Sequence, residues 1–240
     1  MKYNHTISAR FLARPNRFVA QVEVEGRTET VHVKNTGRCK ELLLPGCEVI
    51  LEESDNPNRK TRYDLIAVKK AGIGWVNIDS QAPNHVVREW LEKRPEPFAD
   101  AVLIKPEYTY GKSRVDFYIE TPDRKILMEV KGCTLEIDGI GYFPDAPTER
   151  GIKHLHELTA ALQQGYECYL AFVIAMPKVR KVLPNMTTHP EFGEALKEAM
   201  GAGVKVLYLT CDVEPDKLEI NEFYHSVFAN DRTDIFKPGK

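Results

Sequence analysis

The stretch SRVDFYIETPDRKILMEVKGCT, residues 113–134, contains two segments typical of β-strands on either side of a turn that includes a proline. Each segment carries one acid between apolar neighbours, Asp116 in the first and Glu129 in the second. Burying a carboxylate costs free energy unless a partner compensates it. The pattern therefore predicts a β-hairpin that holds two buried acids in need of a partner.

The register of this hairpin decides whether the two acids meet. A turn at residues 121–124 pairs Glu120 with Lys125 and, in the same register, places Asp116 opposite Glu129. Like charges that face each other across two strands destabilise the pair, and a divalent cation relieves the repulsion because Mg²⁺ accepts one or two carboxylates together with water and phosphate. Side chains alternate along a strand, so Lys131 shares the face of Glu129.

The arrangement predicts Asp116 and Glu129 as metal ligands, with Lys131 orienting or stabilising a nucleophile that attacks a phosphodiester. A solvated ion pair between Glu129 and Lys131 is the alternative interpretation. Glu107, in the preceding strand, is either a third metal ligand or an exposed residue at a sheet edge.

A helix predicted for residues 148–165 follows the hairpin, with its apolar residues on one face. Arg150, Lys153 and His154 lie near its start, where the helix dipole favours a bound phosphate. The alternative for Lys153 is a place on the solvated face of the helix.

Residues 8–78 have the pattern of a small all-β unit, with six short strand-like segments separated by turn residues. A short helix is predicted at Leu42–Leu44, ended by Pro45-Gly46, between the third and fourth strands. Three strands, a short helix and further strands follow each other in the order of an OB-fold barrel. Candidate platforms for nucleic-acid bases in such a barrel are Phe11, Phe18, Tyr63 and Trp75, and core packing is the alternative for most of them.

After residue 80 the pattern becomes that of an α/β protein. A helix with Asn84 as its N-cap precedes three strands, the helix at 148–165, an apolar strand, a helix at 191–200 and a final strand at 204–210. The chain is therefore predicted to form two domains, residues 1–80 and 81–240.

The composition, 42% hydrophobic and 28% charged over 240 residues, is ordinary for a globular protein. There is no apolar run of membrane-spanning length and no signal-peptide pattern, so we expect a cytoplasmic protein without a membrane partner. Five scattered cysteines argue against a disulfide framework and a structural zinc site.

The net charge is -2, but residues 1–40 carry eight Lys and Arg against three Asp and Glu, which favours a polyanion partner for this segment.

Six stretches carry a resemblance to a known family: RPNRF (14–18), HVKNTGRCKELLLPG (32–46), VNIDSQAPN (76–84), GKSRVDF (111–117), EVKGCTL (129–135) and FPDAPTERGIKHLHEL (143–158). Together they span nearly the whole chain, which resembles the sugar fermentation stimulation protein family of bacteria and archaea. Asp116, Glu129 and Lys131 also resemble the PD-(D/E)xK nuclease signature, with Val115 in the place of its proline.

The resemblance implies a two-domain α+β protein: an N-terminal OB-fold-like β-barrel and a C-terminal restriction-endonuclease-like α/β domain with a mixed sheet. It implies DNA binding without strong sequence preference, a link to regulation of sugar (maltose) metabolism genes, and a catalytic triad of Asp116, Glu129 and Lys131 that uses Mg²⁺ or Mn²⁺. The candidate nucleic-acid-binding residues are Arg14, Arg17, Asn35, Arg38, Arg114, Arg150, Lys153 and His154. A non-catalytic DNA-binding regulator built on the nuclease fold and an enzyme acting on RNA or nucleotides are the alternatives, and an oligomer is compatible with the sequence.

Overall fold

The structure, a computed structural model, describes residues 1–35, 37–111 and 113–226. Thr36, in a turn whose neighbours Asn35 and Arg38 are predicted to bind nucleic acid, lies outside these ranges, as does the end of the predicted second domain.

The N-terminal part is a closed β-barrel. Its strands are β1 (Thr6–Ala13), β2 (Val19–Val24), β3 (Arg27–Val33), β4 (Glu48–Glu53), β5 (Tyr63–Lys70) and β6 (Gly74–Asn77). They are ordered β3-β2-β1-β4-β5-β6. His32 and Val33 of β3 also pair in parallel with β5, which closes β1 to β5 into a five-stranded barrel and leaves β6 as an additional strand beside β5. The predicted OB-fold is confirmed.

The short helix predicted at Leu42–Leu44 is absent, and the prediction was wrong. The chain makes a single turn there, in which the backbone N–H groups of Leu42 and Leu43 both donate to the Cys39 carbonyl. Pro45 follows too soon for a helix, since the first turn of a helix is costly and is repaid only by further turns. Leu42 and Leu43 are nevertheless buried in the barrel core.

The second part is built on a mixed six-stranded sheet. Its elements are α1 (Ala82–Glu92), β7 (Leu103–Tyr110), β8 (Ser113–Glu120), β9 (Lys125–Cys133), β10 (Leu135–Ile137), β11 (Ile140–Phe143), α2 (Glu149–Leu162), β12 (Glu167–Ile174), β13 (Val182–Pro184), α3 (Pro190–Ala202), β14 (Lys205–Glu214) and β15 (Lys217–His225). The sheet order is β15-β14-β12-β9-β8-β7, in which β9, β12 and β14 are parallel and the other neighbours antiparallel.

Helices cover both faces of this sheet. The apolar side of α1, including Val87 and Leu91, packs with Met128 of β9 on one face. On the other face Leu155 of α2 and Phe192 of α3 pack with Leu127 in a core that continues into the barrel. The sheet is therefore buried on both sides, which explains the continuous apolar run of β12.

Two parts of this sheet system were missed by the sequence patterns. β15 follows the strand predicted to be the last, and it pairs antiparallel with β14. β10, β11 and β13 form a small three-stranded sheet in a region interpreted partly as loop. These strands are short or rich in charged residues, so their alternation is weak.

α1 begins earlier than predicted. Gln81, not Asn84, is its N-cap, and Pro83 occupies the first turn, where its fixed φ suits a helix and its missing N–H costs nothing. Asn84 therefore lies in the first turn of α1, where its side chain can form a hydrogen bond with another element.

The described cysteines are all free thiols. None of the helices in the described ranges is long and apolar enough to cross a membrane.

Candidate functional site

The β8–β9 hairpin has the register that the sequence predicts. Four pairs are formed, from Glu120 with Lys125 to Phe117 with Met128. The ladder stops one pair before Asp116 and Glu129, and there the Asp116 Oδ2 atom accepts a hydrogen bond from the backbone N–H of Val130 at 2.7 Å. The two acids therefore lie at the point where the paired strands separate.

Asp116 is held by groups from two elements. Besides Val130, the Asn84 side chain at the start of α1 donates from Nδ2 to Asp116 Oδ1 at 2.8 Å. Burial raises the pKa of Asp116, and the charge of Glu129 raises it further, against the opposing effect of the Val130 N–H, Lys131 and Asn84. The site thus favours a proton or a cation at Asp116.

Glu129 is only 3% exposed and is compensated directly. Its Oε1 atom lies 2.5 Å from Lys131 Nζ and also contacts His154 Nδ1. Burial works to raise the pKa of Glu129, but the hydrogen bond from His154 and the charge of Lys131 outweigh it, so the pKa lies below its usual value. Glu129 is therefore a buried carboxylate that stays ionised at neutral pH.

We call Asp116, Glu129, Lys131 and the side chains that hold them the carboxylate cluster. His154 belongs to this cluster and not to the exposed surface of α2. It is buried on α2, and Arg150 donates from Nε to His154 Nε2 at 3.3 Å. The ring is thereby held with Nδ1 facing Glu129 and Nε2 facing Arg150. The sequence prediction placed His154 at a bound phosphate, whereas its position makes it a support for Glu129.

The donor set fits an oxygen-seeking cation. Mg²⁺ is commonly held by one or two carboxylates, with water and substrate phosphate completing its coordination, and Asp116 with Glu129 supplies that number. Among the described residues no group of three or more His, Cys, Asp and Glu is arranged to hold a metal. The arrangement consequently suits Mg²⁺ or Mn²⁺ with a substrate better than a closed zinc site.

Three other predicted residues lie on exposed surface. Glu107 has a positive φ of 53° and pairs with Arg114 at 2.8 Å, each of them more than half exposed, at the sheet edge formed by β7. This matches the second of the two interpretations given for Glu107. Lys153 pairs with Glu157 at 3.6 Å on the solvent side of α2.

Arg14, predicted to contact nucleic acid, uses its guanidinium to hold two loops together. Its Nη1 donates to the carbonyls of Gly37 and Arg38, and its Nη2 donates to those of Arg17 and Asn35, all within 2.9 Å. A guanidinium that binds four carbonyls has little capacity left for a phosphate. Arg14 therefore fixes the backbone from which Arg17 and Arg38 extend into solvent.

The turn at Asn35–Arg38 is also tied to the second part of the chain. Asn35 accepts from Gly37 N through Oδ1 and donates from Nδ2 to the Ile78 carbonyl. Asp145 Oδ2, beyond β11, accepts the Arg38 backbone N–H at 3.0 Å. Asn35 thus acts inside the turn, and the turn is docked against the loop after β11.

A cleft of about 460 Å³ opens at this junction. The turn supplies Gly37 to its wall and the β1–β2 loop supplies Arg17, and Pro83 and Gly132, the neighbours of Asn84 and Lys131, form part of the other side. The carboxylate cluster therefore lies next to the cleft between the barrel and the mixed sheet.

Asn84 and Asp145 were not predicted as parts of a site. Both lie in stretches quoted for the family resemblance, APN and FPD, which was the only signal in the sequence. Their partners, Asp116 and Arg38, are 32 and 107 residues away along the chain, and no spacing rule connects them.

Comparisons with protein families, individual proteins and solved structures all point to the same family over most of the chain. Residues 12–78 match the model of a sugar fermentation stimulation N-terminal OB domain, and residues 81–217 match that of the sugar fermentation stimulation protein RE domain. A sugar fermentation stimulation protein homolog from Desulfitobacterium hafniense is 52% identical over 223 residues, 93% of this chain and 96% of the relative. A homolog from Ruminiclostridium cellulolyticum is 53% identical, over 92% of this chain and 97% of the relative. A solved structure of Pyrococcus furiosus SfsA in complex with Ca²⁺ is similar with a TM-score of 0.82 and 30% identity, and the similarity covers 94% of this chain and 95% of that one.

Proposed function

This chain belongs to the sugar fermentation stimulation protein family, and from that premise we propose that it binds DNA and hydrolyses its phosphodiester bonds with Mg²⁺ or Mn²⁺. One observation carries the proposal. Asp116, which is half-buried, and Glu129, which is buried, lie together at the end of a strand ladder, with Lys131 Nζ 2.5 Å from Glu129 Oε1.

Each residue of the cluster has a role in this proposal. Asp116 and Glu129 hold the cation, and Asn84 and His154 keep the two carboxylates in place. Lys131 is a positive group that stabilises the charge developing on the phosphate oxygens. When bound, the cation would lower the pKa of a water molecule and neutralise negative charge on the phosphate.

A divalent cation is consistent with the family. The Pyrococcus furiosus relative was solved with Ca²⁺, which also prefers oxygen ligands. In this chain burial, and after it the charge of Glu129, raises the pKa of Asp116, so that a cation beside this carboxylate would be favourable.

A second candidate is a non-catalytic DNA-binding regulator of sugar (maltose) metabolism genes. It is favoured by the contacts of Glu129, because Lys131 and His154 both compensate the same Oε1 atom without a metal.

Cleavage assays separate the two candidates. Supercoiled plasmid and single-stranded DNA are incubated with Mg²⁺, Mn²⁺ or chelator, using wild type, Glu129→Gln and Lys131→Met. Glu219→Gln is the matched control, since Glu219 is a strand carboxylate that pairs with Lys217 at 2.7 Å on exposed surface. Metal-dependent nicking that falls by about 100-fold or more in the two site variants, and not in the control, supports the nuclease. DNA binding without cleavage by the wild type supports the regulator.

A further inference from the structure

Phe18 is an aromatic side chain presented to solvent beside the nucleic-acid candidates. It is 47% exposed and is the only exposed Phe, Trp or Tyr in the described part of the chain. Of the other aromatic residues considered as platforms, Phe11 and Tyr63 are buried and Trp75 is half-buried. Phe18 lies at the end of the β1–β2 loop, and in OB barrels this loop takes part in binding oligonucleotides.

The backbone around Phe18 is fixed from both sides. The Asn16 side chain accepts from the backbone N–H groups of Phe18 and Val19 at 2.8 and 3.2 Å. The Phe18 carbonyl accepts from the N–H of Val33, the last residue of β3, at 2.7 Å. An exposed ring on such a preorganised loop loses little conformational entropy when a ligand covers it.

The surroundings of the ring are positively charged. Arg17 places its guanidinium 4.7 Å from the centroid of Phe18. Arg17, Arg38 and Lys40 are exposed, and none of them forms an ion pair with another described residue. With Arg14 they line a hollow of about 450 Å³ that contains no acidic residue.

This basic hollow continues into the cleft beside the carboxylate cluster. The two share Arg17, Gly37 and Ala146 in their walls. Volumes of this size lie in the range of small-molecule sites, about 300–1,000 Å³, and are far too small to enclose a double helix. A strand lying on the loop therefore has a path toward Gly132 and Pro83, next to the acids.

We propose that the β1–β2 loop is a single-strand binding site, at which one base stacks on Phe18 while Arg17, Arg38 and Lys40 contact the adjoining phosphates. The site leads a single strand of DNA through the cleft to Asp116 and Glu129. This inference rests on the proposed DNA binding and specifies that the bound DNA is single-stranded. Stacking on a ring is sequence-tolerant because every base has a π-face, and it requires a base that is not already stacked in a duplex.

Fluorescence anisotropy in chelator tests the site without cleavage. The probes are a labelled oligothymidylate and a labelled hairpin duplex of the same number of nucleotides. Phe18→Ala is expected to weaken oligothymidylate binding by about 5- to 100-fold, whereas Phe18→Tyr keeps the ring and the affinity. Ile137→Ala is the matched control, since Ile137 is a similarly exposed apolar side chain on β10, 52% exposed. In Phe18→Trp, the oligothymidylate is expected to quench the new indole fluorescence.

The outcomes distinguish this inference from the proposed function. Weaker single-strand binding in Phe18→Ala only, with quenching in Phe18→Trp, supports the stacking site. Equal or tighter binding of the duplex, with Phe18→Ala unchanged, overturns the single-strand site and leaves DNA binding intact. Binding of neither probe by wild type overturns both.

Discussion

The Oδ2 atom of Asp116 accepts the backbone N–H of Val130 at 2.7 Å, so a side chain takes up the hydrogen bond at the place where pairing between β8 and β9 stops. The bond holds Asp116 beside Glu129, the residue before Val130, although the two charges repel. Asp116 therefore has two separable properties, an oxygen that satisfies a backbone donor and a charge that burial and the neighbouring Glu129 make unfavourable.

Substitutions at Asp116 separate these properties. Asp116→Asn keeps an oxygen acceptor for Val130 and removes the repulsion with Glu129, and the Asn84 amide can turn its own oxygen toward the new NH2 group, so in chelator the variant is expected to be about as stable as wild type. Asp116→Ala leaves the Val130 N–H without its acceptor and is expected to lower the free energy of unfolding by about 1–3 kcal/mol. Urea unfolding measures both, and an alanine variant as stable as wild type would contradict the structural role of the bond.

Divalent cations are expected to stabilise wild type and not Asp116→Asn. A ligand that binds only the folded state raises its stability, by about 2.7 kcal/mol at a hundred times its dissociation constant. Thermal unfolding with Mg²⁺ and Mn²⁺ gives this readout independently of any nuclease activity. An equal rise in the melting temperature of both proteins would place the cation away from Asp116.

Gly132→Ala is expected to disturb the same cluster through packing. A Cβ atom at Gly132 comes within 2.8 Å of Pro83 Cγ, and a proline ring has no rotamer that withdraws from the contact. The first turn of α1, and with it Asn84, must shift away from Asp116. We expect a loss of about 1–3 kcal/mol in unfolding free energy and reduced metal-dependent stabilisation.

Gly201→Ala is the matched control for that variant. Gly201 lies in α3 with open space at its Cβ position, so alanine is expected to stabilise the helix by about 0.5–1 kcal/mol. If both alanines have the same effect on urea unfolding, the contact between Gly132 and Pro83 is not a constraint.

An ion pair between the two parts of the chain predicts a dependence of stability on pH. Lys70, at the end of β5, donates to Glu136 Oε2 of β10 at 2.5 Å and to the Glu136 carbonyl at 2.8 Å. Burial works to raise the pKa of Glu136, but Lys70 and the Gly139 N–H outweigh it and lower the pKa below its usual value. The pair therefore contributes fully above the unfolded-state pKa of about 4.3, and the contribution is lost as pH falls through the lower folded-state pKa.

Glu136→Gln is accordingly expected to be less stable than wild type at pH 7, with a difference that shrinks in acid. Urea midpoints measured from neutral pH to below pH ~4 follow this difference. Glu48→Gln is the control, because Glu48 pairs with Lys69 on exposed surface and such a pair contributes less than about 1 kcal/mol. A Glu136→Gln deficit that stays constant with pH would show that the lost contribution is not that of the charged pair.

The strands of the barrel and the hairpin register were predictable because they depend on local patterns. Alternation and turn residues located β1 to β5, and a four-residue turn determined the pairing of Glu120 with Lys125. The proposal that Asp116, Glu129 and Lys131 act as a catalytic triad came from that register together with the family resemblance.

Contacts between distant segments were not predictable in the same way. His154 was recognised as a candidate, but α2 had to be placed against β9 before its contact with Glu129 became visible. Arg14 has the same charge as its exposed neighbours, and only the folded loops show that four carbonyls surround it. The N-cap of α1 was misassigned because Asn84 is a common capping residue, whereas Pro83 favoured an earlier start.

Arg14 and Arg38 are expected to respond differently to lysine. Lysine keeps the charge but lacks the planar fork that reaches several carbonyls at once, so Arg14→Lys should lower the free energy of unfolding by about 1.5–3 kcal/mol and displace the loops that carry Arg17 and Arg38. Arg38 donates through its backbone to Asp145 and extends its side chain into solvent, so Arg38→Lys should leave stability and DNA affinity close to wild type. Arg38→Ala should reduce the slope of binding affinity against salt concentration by about one counterion. Urea unfolding measures the stabilities, and DNA titrations at several salt concentrations measure the affinities and salt slopes. An Arg14→Lys protein as stable as wild type would contradict the structural role of Arg14. An unchanged salt slope in Arg38→Ala would contradict a phosphate contact by Arg38.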